Sequence, residues 1–464
     1  MNQVLNLKKL LYLCIATAAF NAATAQTTTT PSPLDTVKKP VDTAVVKKPA
    51  PQSTLTFGLD MRTRFEARHG YKSIPTSDTA AAFEINQRTR FNVDYKSKGL
   101  DVFLSLQDAR VWGQQDPREG QTGTSTTVTQ TTTFPLYFFE AYAEPHFNDK
   151  WSLRIGRQRI IYDNQRLFAE NNWRLPGNSH DAMRLIFNNK INFTNELLFS
   201  FGQSGENLFT TKYQPLVPNY KNLLVDYLNW KINDKFSLTT INTMDGYQSS
   251  KPDKYSTTYQ RYTVGGRLEY STYHWYLTFS GYEQFGKDST GKKLSAYYMQ
   301  PEIKYTTGPI SFRLGMEYMS GSDSATHPTK DYSFVPLYGV AHSFMGNLDI
   351  FDVAGDFNNA GMINPYFHFM YQKDKITVRV ENHMFFSQSQ FVYKGTPIKR
   401  YLGYENDLRL NYKPGKVTDL EFGFCWAALT NSASIIKKAG DSNVTPVFGY
   451  VSLRLTPTLG KITF

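Results

Sequence analysis

The stretch TLTFGLDMRTRFEAR, residues 54–68, decides the fold, because apolar and polar side chains alternate along it. The odd positions are mainly apolar: Leu55, Phe57, Leu59, Met61, Phe65 and Ala67. The even positions are mainly polar: Thr54, Thr56, Asp60, Arg62, Arg64, Glu66 and Arg68. Successive side chains of a β-strand point to opposite faces, so the stretch predicts a strand with one apolar and one charged face. It is longer than an ordinary strand of about 5–6 residues and suits a tilted membrane strand, which needs about 9–11.

The same alternation recurs along most of the chain. It is clearest in 82–96, 262–270, 310–318, 376–383 and 402–410. Eighteen candidate strands begin near residues 54, 82, 101, 134, 151, 180, 191, 221, 235, 259, 273, 294, 310, 362, 375, 400, 417 and 446.

The links between these strands fall into two classes. After even-numbered strands they are tight, as in 148–150 and 233–235, and after odd-numbered strands they are mostly long. Short turns on one side and long loops on the other, with an even strand count, are typical of outer-membrane barrels. We therefore predict an all-β fold, a transmembrane antiparallel β-barrel of about 18 strands with long extracellular loops and short periplasmic turns. The long links 113–133, 164–179 and 321–361 are expected to fold into the lumen or cover its mouth.

The chain divides into three predicted regions. Residues 1–25 have the layout of a secretory signal, with Lys8 and Lys9 before an apolar run. Residues 26–53 are rich in Thr, Pro and Lys and predict a disordered periplasmic tail, with a tether to a periplasmic partner as the alternative. Residues 54–464 form the predicted barrel, in a Gram-negative outer membrane with both chain ends in the periplasm.

Three further features of the sequence limit the prediction. The last predicted strand ends near Thr456, since the segment TPTLGKITF at the end of the chain contains the breakers Pro457 and Gly460. Only Cys425 remains once the signal is cleaved, so an intrachain disulfide is excluded. No apolar run after the signal approaches the roughly 20 residues of a membrane helix.

The charge of the chain indicates an anionic solute. The formal net charge is +11, and a basic protein attracts anions. Export argues against nucleic acid as the partner. The residues predicted to line the path are Arg62, Arg64, Arg88, Arg90, Arg154, Arg157, Arg159, Arg166, Arg184, Arg267, Arg313, Arg379 and Arg409, with Glu405 and Asp407. The alternative role of each arginine is cross-strand pairing with a carboxylate.

The segment RIGRQRII, residues 154–161, requires a local irregularity if its arginines are to face the lumen. Strict alternation would place Arg157 and Arg159 in hydrocarbon, at a cost of roughly 2–4 kcal/mol each near the midplane. A bulge at Gly156 would turn both arginines inward and turn Gln158 and Ile160 outward. We therefore predict a bulge at this glycine.

Three segments resemble a known family. They are RIGRQRIIYDNQRLFAENNWRLPGNSHDAMRL at 154–185, FVPLYGVAHSFMGNLDIF at 334–351 and YLGYENDLRLNYKP at 401–414. All three are similar to segments of the alginate export family of outer-membrane barrels. The resemblance implies an eighteen-stranded barrel whose arginine-rich constriction passes an acidic polysaccharide outward.

Other functions are weighed against this one. A general or anion-selective porin for the uptake of small solutes would use the same lumen. An outer-membrane hydrolase is disfavoured, because His180 with Asp181 and His342 with Ser343 are adjacent residues that a strand points to opposite faces. No Gly-x-Ser-x-Gly motif is present. We predict a channel with no catalytic residues and no cofactor.

One acidic loop is a weak candidate for calcium. Residues 347–361 contain Asp349, Asp352 and Asp356, which offer the oxygen ligands that Ca²⁺ prefers but lack the EF-hand spacing. Solvated loop carboxylates are the alternative interpretation.

Overall fold

The computed structural model describes residues 53–112, 136–203, 205–206, 208, 219–249, 257–323, 329–351 and 359–464. The long strands are β1 Thr54–His69, β2 Ala82–Lys96, β3 Leu100–Val111, β4 Leu136–Pro145, β5 Trp151–Gln158, β6 His180–Asn188, β7 Phe193–Phe201, β8 Asn222–Lys231, β9 Phe236–Gln248, β10 Thr258–Ser271, β11 Trp275–Lys287, β12 Lys293–Thr307, β13 Ile310–Met319, β14 Met362–Lys373, β15 Ile376–Ser387, β16 Tyr401–Tyr412, β17 Thr418–Leu429, β18 Val447–Leu455 and β19 Thr458–Thr463. Two-residue strands lie at Lys330–Asp331, Val392–Tyr393 and Thr396–Pro397, and a helix, α1, at Asn431–Lys437.

These strands form one antiparallel barrel that closes on itself. Each strand from β1 to β18 pairs with its sequence neighbour, and β1 also pairs with β18 and β19. Because β18 and β19 share one position beside β1, the barrel has eighteen strand positions, as predicted. Among the described residues, no helix is long and apolar enough to cross a membrane.

The strand β19 was not expected as a continuation of the barrel wall. Thr458–Thr463 pairs with the first residues of β1, from Thr54 to Gly58, in spite of Pro457 and Gly460. The break falls at Pro457, whose carbonyl accepts a hydrogen bond from the Leu59 amide at 3.0 Å. A proline is tolerated where the ladder is already interrupted, so it divides the last strand without ending the sheet.

The two ends and two faces of the barrel differ as the sequence predicts. One end carries short links such as 232–235 and 308–309 and is called the turn end; the other is called the loop end. The outer face is apolar, with large side chains exposed on strand after strand. Trp151, Trp230 and Trp275 lie on this face beside the short turns, where an aromatic girdle is expected.

Two loops fold into the barrel and pack against each other inside it. The first, residues 159–179, contacts β8 through Asp163, β12 through Asn164 and β1 through Trp173. The second, residues 332–351, packs against the first, and the two are joined by a bridge between Phe168 and Tyr338. The described parts of 164–179 and 321–361 therefore fold inward as predicted, whereas 113–133 lies outside the described residues.

Candidate transport lumen and its arginine clusters

A row of guanidinium groups crosses the point where the barrel closes. Arg62 on β1 lies directly opposite Arg88 on β2 and opposite Arg454 on β18. Arg454 forms a bidentate pair with Asp60, at 2.8 and 2.9 Å, and the same carboxylate lies 3.8 Å from Arg88. This one carboxylate therefore pairs with two of the three cations in the row, Arg454 and Arg88.

Two more arginines extend this row into a cluster. Arg64 pairs with Glu66, and Arg90 packs over the ring of Phe139, with its carbon Cζ 3.6 Å from the ring centre. We call Arg62, Arg64, Arg88, Arg90 and Arg454 the seam cluster. All of them face inward because they occupy alternate positions of their strands. Arg62, Arg64, Arg88 and Arg90 were predicted to line the path, and the structure places their side chains inside the barrel; Arg454 was not predicted.

The first loop places a turn directly on the seam cluster. Arg62 donates to the backbone carbonyls of Asn172, Trp173 and Arg174, the last two at 3.2 Å. Arg64 also donates to the carbonyl of Trp173, at 3.2 Å, and Arg88 donates to the Asn172 side chain at 2.7 Å. Among the described residues, Arg62 forms no ion pair with a carboxylate. Its acceptors there are neutral oxygens only.

The side chain of Trp173 fixes this turn. Its ring stacks on His342, with centres 3.9 Å apart, and the guanidinium of Arg64 covers it at 3.8 Å. The indole N–H donates to Tyr71 at 2.9 Å, and Tyr71 in turn donates to Asp349 at 2.8 Å. Burial, together with the Asp349 carboxylate, raises the pKa of Tyr71 well above its ordinary range. Tyr71 therefore stays protonated and keeps this bond.

A second group of basic residues lies on β12 to β16. Lys304, Arg313 and His368 occupy neighbouring positions on β12, β13 and β14. Arg379 lies opposite Arg409 on the next strands, and Arg409 pairs with Glu381 at 2.6 Å. Arg313 lies 3.7 Å from Glu302. Arg379, like Arg62 and Arg90, forms no ion pair with a carboxylate among the described residues.

Other predicted arginines are paired and hold the structure together. Arg154 binds Glu144 at 2.6 Å, Arg184 binds Glu196 at 3.3 Å and Arg267 binds Glu269 at 2.7 Å. Arg166, in the first loop, binds Glu317 of β13 at 2.6 Å, and both side chains are buried. These four arginines therefore have the alternative role, in which an arginine pairs with a carboxylate.

The structure contradicts the predicted bulge at Gly156. The pairing of β5 with β6 runs from Trp151 to Gln158 without a register shift. Strict alternation therefore places Gln158 inward, fully buried, and Arg157 outward, where it forms a bidentate pair with Asp181 at 2.9 and 2.8 Å. Arg157 is not a lumen residue, and the interpretation that made it one is wrong.

The irregularity lies instead in the neighbouring strand. The register of β3 and β4 shifts between Ser105 and Leu106, which leaves Phe139 as the extra residue. Gly156 faces this region with a φ of +124°, and a Cβ there would lie 2.3 Å from the Ala141 carbonyl oxygen. The glycine allows β5 to approach the bulged strand closely.

Arg159 and Ile160 follow the end of β5. Arg159 turns inward as predicted and binds Glu140 at 2.8 Å and Glu170 at 2.6 Å, so it is paired. Ile160 was expected to face outward but is fully buried among the loop residues.

Glu405 and Asp407 accept hydrogen bonds from the second loop. Glu405 accepts a hydrogen bond from the Leu348 amide at 2.8 Å, and Asp407 accepts one from the Asn347 amide at 3.1 Å. Both carboxylates are buried on β16. They line the interior as predicted, and they hold the tip of the inward loop.

The calcium candidate receives no support from the described residues. Both oxygens of Asp349 are engaged, one by His342 at 2.8 Å and one by Tyr71. Asp352 and Asp356 lie outside the described residues, and no metal-binding group of His, Cys, Asp or Glu occurs within them.

Several residues of the barrel interior were not predicted from the sequence. Arg261 pairs with Asp245, and Tyr338 of the second loop donates to that carboxylate at 2.9 Å. The stretch VSLRL, residues 451–455, alternates like the other strands and could have identified Arg454. The roles of Tyr71 and Trp173 depend on loop positions, for which the sequence offers no periodicity.

A closed barrel with an apolar outer belt and a charged interior defines an outer-membrane channel. Solved outer-membrane proteins share this fold. OccK9 (OpdG) of Pseudomonas aeruginosa matches with a TM-score of 0.61 at 12% identity, over 87% of this chain and 98% of that chain. OccAB1 of Acinetobacter baumannii matches with a TM-score of 0.59 at 10% identity, over 88% and 97%. OccK2 (OpdF) of P. aeruginosa, solved in complex with glucuronate, matches with a TM-score of 0.55 at 10% identity, over 88% and 98%.

The family follows from the sequence itself. The pattern of the alginate export family matches residues 53–426, and the chain belongs to this family. No curated protein sequence matches the chain.

Proposed function

We propose that this barrel passes carboxylated solutes across the outer membrane, and that its main cargo is an acidic polysaccharide moving outward. The observation that carries the proposal is the seam cluster, in which five guanidinium groups face the interior beside the carboxylates Asp60 and Glu66. Guanidinium groups bind carboxylates through two parallel hydrogen bonds and can replace their hydration shell. Membership of the alginate export family supports a polymer as the cargo.

Uptake of a small anionic solute is the second candidate. It is favoured by the two inward loops, whose side chains pack inside the barrel. The similar barrel OccK2 was solved with glucuronate, a single carboxylated sugar. In this case the same arginines would serve a monomer rather than a chain.

We also propose an orientation for the chain in the outer membrane. With the turn end in the periplasm, the N-terminal tail 26–53 lies on the periplasmic side, where a partner protein could reach it, and residues 1–25 are removed on export. Outer-membrane lipid surrounds the apolar belt. No step in this function requires a catalytic residue.

Planar-bilayer recordings test the proposal. Under a salt gradient, the reversal potential yields the anion to cation permeability ratio, which we expect to exceed one. Replacing Arg62 and Arg88 together by glutamine removes two positive charges from the lumen and should lower this ratio. Arg157→Gln is the control, because it removes a positive charge from the outer face instead of the lumen. An unchanged ratio in the double variant, or an equal fall in the control, would contradict the proposal.

Transport of polymer and monomer can be separated. One set of liposomes is loaded with glucuronate and another with a long polyuronate. Glucuronate should leave the liposomes under either proposed function, whereas polyuronate should leave only if the barrel exports a polymer. Retention of the polymer with rapid loss of the monomer would favour the uptake candidate.

A further inference from the structure

The turn at residues 171–174 occupies the seam cluster in an unusual way. Arg62 directs its guanidinium group at three consecutive backbone carbonyls, those of Asn172, Trp173 and Arg174. A guanidinium fork fits the two oxygens of a carboxylate, and a charged acceptor binds it more strongly than a neutral one does. The carbonyls therefore occupy positions that suit an anion better.

The charges around the turn also favour an anion. Arg88 and Arg64, like Arg62, bind oxygen atoms of this turn, and Arg454 lies beside Arg62 in the same row. The carboxylates beside the cluster are already engaged, Asp60 by Arg454 and Arg88 and Glu66 by Arg64. Like charges held close together repel one another, so an added negative charge stabilises the cluster.

Two buried donors of the seam cluster have no acceptor. Among the described residues, Nε of Arg88 and Nη2 of Arg90 make no hydrogen bond, although Arg88 is fully buried and Arg90 is 5% exposed. A buried N–H without a partner costs free energy. The seam cluster therefore holds more donors than the described acceptors satisfy.

We propose that the turn 171–174 is an internal substitute for the transported anion, and that a carboxylate of the solute displaces its carbonyls from Arg62. The displaced turn moves away from the wall and widens the lumen. When no carboxylate is present, the stacking of Trp173 on His342 returns the turn to the cluster. The inference rests on the proposed function, since it names the carboxylate site and the gate within the same lumen.

Thiol labelling at the turn tests this idea directly. The native Cys14 and Cys425 are first replaced by alanine, and Asn171→Cys then introduces a single thiol in the turn. Glucuronate should accelerate the reaction of this thiol with a membrane-impermeant maleimide, whereas glucose, which lacks the carboxylate, should not. The matched control is Ser289→Cys, on the exposed link between β11 and β12, whose labelling rate should not respond to either sugar.

Variants at Arg62 provide a second test that needs no solute. Arg62→Lys keeps the charge but loses the planar fork, and it should raise the basal labelling rate at position 171 by roughly tenfold or more, since bonds to a charged group are lost. Heat-modifiable gel mobility verifies that each variant is folded. Arg157→Lys should leave the basal rate as it is.

The outcomes separate this inference from the proposed function. Equal acceleration by glucose, or a basal rate in Arg62→Lys equal to that of the parent, would overturn the displacement of the turn. Acceleration by inorganic phosphate with none by glucuronate would overturn the choice of a carboxylate. If glucuronate passes through the channel without changing the labelling rate, this inference fails and the proposed function stands. If labelling responds but neither glucuronate nor polyuronate passes, the site stands and the proposed function fails.

Discussion

Replacing Arg166 by methionine should release the first loop from the barrel wall. The Arg166 guanidinium joins three parts of the structure: it binds Glu317 of β13 at 2.6 Å, donates to the carbonyl of Val340 in the second loop at 3.1 Å, and emerges from the first loop. The side chain is 2% exposed and that of Glu317 is fully buried. The substitution keeps the apolar volume near Met319 and leaves the Glu317 charge without a cation.

The expected magnitude follows from this burial. Removing one partner of a buried ion pair typically costs about 3–5 kcal/mol, because the remaining charge stays desolvated. The hydrogen bond from Tyr298 to Glu317, at 2.6 Å, offsets only a part of this. If this whole free-energy cost destabilises the inward state of the first loop, the population ratio of the inward loop to the displaced loop decreases by roughly two to four orders of magnitude.

Two measurements check this prediction. Single-channel recordings of Arg166→Met should have a higher mean conductance and larger fluctuations, and its folded form should denature at a lower urea concentration. The double variant Arg166→Met with Glu317→Gln removes the stranded charge and should recover most of the stability while the conductance stays high. Wild-type conductance and stability in the single variant would refute the reasoning, and so would a double variant no more stable than the single one.

Substitutions at three further positions have defined outcomes. Gly156→Ala should lower folding yield, because φ is +124° and the new Cβ would approach the Ala141 oxygen to 2.3 Å; the heat-modifiable fraction on gels measures this. Glu405→Gln keeps an acceptor for the Leu348 amide, so it should change conductance less than Glu405→Ala, and equal effects would contradict the role as an anchor. Burial raises the pKa of Asp163 above its ordinary value, so the stability linked to its neutral form is present at low pH and declines as pH rises through the folded value. Asp163→Asn should abolish that decline in urea denaturation measured from acidic to neutral pH, and an unchanged pH profile would exclude Asp163 as its source.

The fold was predictable because its signals are local. Alternation along residues 54–68 and the difference between short and long links depend on near neighbours, and both survive in the barrel. β19 was missed because Pro457 reads as a breaker when its strand partner is unknown. In the structure Pro457, which has no backbone N–H, lies at the junction of β18 and β19, where the hydrogen-bond ladder is already interrupted.

The errors at the site come from information that the sequence does not carry locally. The direction of Arg157 depends on where the bulge lies, and the bulge is in β4 at Phe139, where the pairing with β3 determines it. Alternation identifies Arg62 as an inward residue. It cannot reveal that a loop more than a hundred positions later supplies its acceptors, because loop conformation has no period to read.

The position of the seam has a consequence for the order of assembly. β1 is the first strand to be made, yet its second edge stays open until β18 and β19 exist, and the contact between Asp60 and Arg454 spans 394 residues. Such distant contacts form late, because closing a long loop is entropically unfavourable. Until then β1 exposes unpaired N–H and C=O groups that invite pairing with other chains. The arginine row across β2, β1 and β18 is therefore completed only at the last step of folding, and a nascent chain can carry no finished anion site before the wall itself is sealed.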